Sequence, residues 1–152
     1  MKKHIFLFAL IWALAHQLVS AEEIVLISDA EYIEAKLAAQ KEQYLVKFAP
    51  VKGAPIIDWL LPKLDSQIGV PTDIQLNFIP QESAKINFDS LKIYYGTFRL
   101  DITNRVKEAA SILGNSMHLK EVKLPTGVHK LLLTITDTEG RQGIKSIELE
   151  IR

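Results

Sequence analysis

The stretch Leu124–Arg152, LPTGVHKLLLTITDTEGRQGIKSIELEIR, decides the fold class. Leu131, Leu133 and Ile135 fall on one side of an extended chain, and Lys130, Thr134 and Thr136 on the other. Ile147, Leu149 and Ile151 then alternate with Glu148, Glu150 and Arg152. A period of two places one face in a core and the other in water. Pro125-Thr126-Gly127 supplies a turn ahead of the first strand, and a polar loop with Gly140 and Gly143 joins it to the second. The run reads as two strands of a half-exposed antiparallel sheet.

The same alternation recurs upstream. Ile57, Trp59 and Leu61 share a parity before Pro62, and Ile74, Leu76 and Phe78 do so before Pro80. Ser90–Tyr95 and Phe98–Thr103 flank Gly96-Thr97, a pair suited to a two-residue type II′ turn. That turn pairs Tyr95 with Phe98, Ile93 with Leu100 and Leu91 with Ile102, all on one face. On the other face Lys92 stands opposite Asp101, and Tyr94 opposite Arg99. A short helix is expected next, capped by Thr103 or Asn104, with Val106, Ala109, Ala110 and Leu113 on its apolar side and Gly114-Asn115 at its end. Met117–Leu124 is a further strand. The total is about seven strands in roughly a hundred residues, the size of a Greek-key sandwich.

Residues 22–52 read differently. Ser28-Asp29-Ala30-Glu31 is a capping box. Ile33, Leu37, Tyr44 and Phe48 then recur at helical spacing, so an amphipathic helix is expected over Asp29–Lys47. Ala49-Pro50 ends it, and Val51–Pro55 reads as a linker to the β-domain, residues 53–152. A lone amphipathic helix cannot bury its own stripe, so it must dock on the sandwich or on a partner, and docking on the sandwich is favoured.

The first 21 residues have the form of a signal peptide: Lys2-Lys3, the apolar run Ile5–Ala15, and Val19-Ser20-Ala21 before Glu22-Glu23. The run is short of the roughly 20 residues that span a bilayer. Without the signal the chain carries 16 basic and 18 acidic residues, about −2, which gives no footprint for nucleic acid. There is no cysteine, so the core must hold by packing, and lipidation at an N-terminal cysteine, thiol nucleophiles and thiolate zinc sites are excluded. A periplasmic or secreted protein with no stable membrane insertion is expected.

Ser90-Leu91-Lys92-Ile93, Asp101-Ile102-Thr103 and above all Leu124–His129 with Thr136–Gly140 carry a resemblance. Gly53–Arg152 resembles the bacterial immunoglobulin-like domains of exported envelope proteins, over about two thirds of the chain. The resemblance implies an Ig-like Greek-key sandwich over residues 53–152. With the short helix and the N-terminal helix read from the residues, the expected fold is an all-β sandwich of about seven strands with one short inserted helix, preceded by an amphipathic helix. It departs from the antibody pattern, having no cysteine pair and having Trp59 in the first strand rather than the third.

Chemistry is sparse. His118 and His129 are the histidines outside the signal, no G-x-S-x-G elbow or H-E-x-x-H occurs, and both are expected as partly exposed strand residues. No phosphate loop or dinucleotide fingerprint is present. Asp137 and Glu139 could share a calcium ion only with further ligands that the spacing does not supply, and turn chemistry accounts for them. The Asp137, Glu139 and Arg141 loop is retained as a contact candidate. No catalytic, cofactor or metal residue is assigned. The expectation is an exported, non-enzymatic module that binds or spaces a protein partner of the envelope. A small hydrolase or enzyme accessory with a loop-built site is the alternative.

Overall fold

The computed structural model describes residues 24–39 and 51–152. The expected signal, Glu22-Glu23, the second half of the N-terminal helix with Tyr44 and Phe48, and Ala49-Pro50 lie outside them. The elements are β1 Ile24–Val25, α1 Asp29–Ala39, β2 Ile56–Leu61, β3 Thr72–Ile79, β4 Ile86–Tyr95, β5 Leu100–Asp101, α2 Thr103–Ala109, β6 Ser111–Leu113, β7 Ser116–Lys123, β8 Gly127–Asp137 and β9 Gln142–Ile151.

The strands form two sheets. One runs β2-β3-β7, and the far edge of β7 is shared: β6 lies antiparallel to Ser116–His118, and β1 lies parallel to Val122-Lys123. The other runs β5-β4-β8-β9. The orders β2-β3-β7-β6 and β4-β8-β9, with β5 as an extra edge, are those of the immunoglobulin sandwich. Alternating residues of both sheets fill the space between: Ile74, Leu76 and Phe78 of β3, Leu91, Ile93 and Tyr95 of β4, Leu133 and Ile135 of β8, and Ile147, Leu149 and Ile151 of β9. β8 and β9 pair without a break from Gly127↔Ile151 to Thr136↔Gln142, in the parity that the alternation requires.

Several expectations are corrected. There are nine strands among the described residues, because β1 and β6 add to the seven. Leu113, expected on the apolar side of the helix, is 85% exposed in β6, while α2 ends at Ala109 and Gly114-Asn115 forms the β6–β7 turn. Ile102 rather than Thr103 or Asn104 precedes the helix; the Thr103 hydroxyl is spent on the Ile93 N–H at 2.9 Å.

The β4–β5 register also differs. Tyr95 pairs with Leu100 and Tyr94 with Asp101, across a four-residue loop in which Gly96 (φ 69) and Arg99 (φ 56) are left-handed. The shift is by two residues, so parity survives and Ile93 and Tyr95 stay inside, whereas Phe98 moves out to the loop. Lys92 still reaches Asp101, at 3.4 Å. The cause is tertiary. Gly96 donates its N–H to Lys130 O at 2.9 Å, and a Cβ there would lie 3.0 Å from that of Ala35 on α1.

Helix α1 docks on the sandwich, but by a different face from the one expected. The capping box forms, with Ser28 N–H and Oγ each 2.9 Å from Glu31 Oε2. Ala35 is buried and Tyr32 packs inward, while Ile33 and Leu37 are each 56% exposed. Leu26 and Ile27, just before the helix, enter the main core.

Candidate functional site

His129 follows the inward parity of β8 and is buried, 1% exposed, not partly exposed as expected. Its Nε2 lies 2.7 Å from Pro125 O, which accepts only a hydrogen bond, so Nε2 carries the proton. Nδ1 then accepts from the Tyr95 hydroxyl at 2.9 Å. Tyr32 of α1 lies over the ring with centroids 5.1 Å apart. Burial lowers the imidazole from its ordinary value and pushes Tyr95 up to about 12. Both ring nitrogens are occupied, so His129 is not a base waiting for substrate. Its parity with Leu131, Leu133 and Ile135 was the sequence signal for its burial.

His118 projects from the outer face of the first sheet, partly exposed as expected, with Nε2 3.2 Å from Asp73 Oδ2. Asp73 Oδ1 accepts the Glu121 N–H at 3.0 Å, and that bond leads in holding the Asp73 carboxyl below the usual range. The two histidines are not brought together. No group of three or more His, Asp or Glu side chains converges as a metal site among the described residues.

The Asp137, Glu139 and Arg141 loop is a latch. Asp137 is enclosed: Oδ1 accepts the N–H groups of Glu139 (2.9 Å) and Arg141 (3.0 Å), and Oδ2 accepts Arg141 Nε at 2.7 Å. Enclosure pushes its carboxyl up, but the side-chain and backbone bonds of Arg141 outweigh that and hold it below the ordinary value. Arg141 also reaches Glu82 at 2.7 Å and Glu139 at 3.4 Å. Asp137 and Arg141 are thus committed to fastening β8–β9 to the β3–β4 connection, and Glu139 alone of the three stays largely exposed.

The open surface is the side where β2 and β9 lie next to each other as the free edges of the two sheets. In β9, Arg152 N–H donates outward to Ile68 O at 3.0 Å, while Arg141 O faces β8 to accept from Asp137. Backbone direction alternates along a strand, so Ile144, Ser146 and Glu148 also aim their N–H and C=O groups away from β8. Pro55 covers one end of this edge: a Cβ on Gly143 would be 2.1 Å from its carbonyl oxygen. Ile68 covers the other end. Phe78 N–H points to Asn115 O, away from β2, so Ile57, opposite Phe78, likewise turns its backbone outward. A groove of about 390 Å³ opens here, between Val51–Ile57 and Gln142–Ile144, with Gln81 at its wall. Neither histidine lines it. Nothing in the composition of these segments marked them as neighbours; only the sheet order does.

No protein-family model matches the chain, and no curated protein matches it. Among solved structures the chain is similar to the crystal structure of CopC from Methylosinus trichosporium OB3b, at 10% identity and a TM-score of 0.39, over 62% of this chain and 92% of that one.

Proposed function

We propose that the chain is an exported, non-enzymatic Ig-like sandwich that binds another protein of the bacterial envelope along the open edge of β9. The supporting observation is the Ile144–Glu148 stretch, whose outward N–H and C=O groups have the chemistry to recognise an extended backbone. Its two ends differ. Glu148 and Glu150 pair with Lys130 and Arg152, at 3.4 and 3.0 Å, and blunt the lower end with charge. Ile144 and Ser146 carry no charge, and Ile144 lines the groove, where Val51 and Ile56 are about half exposed. The occupant is therefore an extended segment with an apolar end over Ile144. The enzyme reading is disfavoured because the groove gathers neither histidine, and both nitrogens of His129 are bonded within the core.

Ser146→Pro tests the proposal. Proline at 146 removes an outward donor and no bond to β8, so stability should change by no more than about 1 kcal/mol. A photo-crosslinker at Ile144 should then trap a protein in envelope extract that the same probe at Lys120, on the opposite sheet, does not trap. The Ser146→Pro change should abolish that adduct. An adduct of equal yield with and without proline would overturn the edge-binding proposal.

A further inference from the structure

Independently of the β9 edge, the seat of the N-terminal cap holds a titratable group. Leu26, Ile27 and His129 line one small apolar cavity of about 30 Å³ between the sheets. Tyr32, half-buried, packs over the imidazole, and its hydroxyl lies where a Cβ on Gly127 would be. We infer that the β1–α1 cap is seated by the neutral form of His129 and loosens when that ring takes up a proton.

The surroundings give an added charge no partner. From β4 comes the Tyr95 hydroxyl, from the turn before β8 the Pro125 carbonyl, and opposite in β9 stands Leu149, itself buried. From α1 come Tyr32 and, farther out, Glu31. The Glu31 carboxylate is held by Arg105 of α2 at 2.9 Å, and Arg105 also donates to Leu26 O. A proton on Nδ1 would turn the Tyr95 hydroxyl into an acceptor and leave a charge in an apolar enclosure. Water reaches that charge most directly where Tyr32 moves aside. In the closed cap burial holds the imidazole below its ordinary value of about 6.5, and opening the cap relieves part of that burial. Cap stability is thus fully present above that value and falls as the pH drops below it.

Hydrogen exchange of the purified protein, corrected for the intrinsic pH dependence, reads this directly. Between pH 7.5 and 5, amides of Tyr32–Ala39 should lose protection relative to Ile74–Phe78, by up to about tenfold per pH unit below 6.5. His129→Gln should hold the ratio flat, since a neutral amide serves the same two bonds. His118→Gln should behave as the wild type. A flat ratio in the wild type, or the same fall in His129→Gln, overturns the inference. If His129→Gln does not fold, the wild-type ring can be followed by NMR. Titration of His129 must then coincide with loss of α1 protection, and either change occurring without the other overturns the inference.

Discussion

Gly143 and Gly69 show how sharply cost depends on what a methyl group meets. A Cβ at Gly143 would lie 2.1 Å from the Pro55 carbonyl oxygen, a backbone atom that can retreat only by opening the β2–β9 side. We expect Gly143→Ala to destabilise the fold by about 2 kcal/mol. At Gly69 nothing lies within 4 Å, and Gly69→Ala should fall within about 0.5 kcal/mol of wild type. Urea midpoints of the two variants measure the contrast. The sequence is informative at this scale where a residue belongs to an alternating run, although His129 and Asp137, which extend the inward parity of β8, were expected partly exposed and in a contact loop and are buried. It is silent where contact partners are far apart in the chain, as Pro55 and Gly143 are.

Helix α1 is where element-scale reading succeeded and failed together. Its start was legible because a capping box is local chemistry. Its buried face was not, because Ile33 and Leu37 carry the apolar periodicity while packing selected Tyr32 and Ala35, residues small or flat enough to lie over Gly96 and His129. The β4–β5 loop was misread for the same reason: its register answers to α1 and β8, which the hairpin sequence does not contain. The Glu31–Arg105 clamp lies outside any pattern as well. The Arg105 side chain leads in lowering Glu31 to about 2, with Ser28 assisting. A lowered carboxylate contributes stability that is present above its ordinary value of about 4.5 and is lost as the pH falls through about 2. Glu31→Gln should therefore cost about 1–2 kcal/mol at pH 7, after allowance for solvent screening. The difference from wild type should close as unfolding is repeated at pH 4.5, 3.5 and 2.5. A cost unchanged at pH 2.5 would show that the clamp does not act through charge.

In the molecule as a whole, the sandwich and its cap differ in what they need from the chain. The pairs β2–β3, β6–β7 and β8–β9 join neighbours in sequence and β3–β7 and β4–β8 join residues 36 to 51 apart, whereas β1 lies beside Val122-Lys123, 98 residues on. Contacts of that separation carry a large closure entropy and form late. Ile27→Ala, which hollows the core beneath the cap, should therefore cost about 3 kcal/mol and express it mainly as faster unfolding, with the refolding rate little changed. Stopped-flow chevrons separate the two, and a refolding rate slowed in proportion to the lost stability would place the cap in the folding nucleus. The parallel seating of β1 on β7 also sets an order of events for a chain that emerges N-terminus first from a ribosome or a translocation pore. Ile24 and Val25 are out early but have no strand to join until Val122 has followed. Through that interval Leu26 and Ile27 stay accessible to whatever receives the emerging chain, and the arrival of β7 ends that exposure.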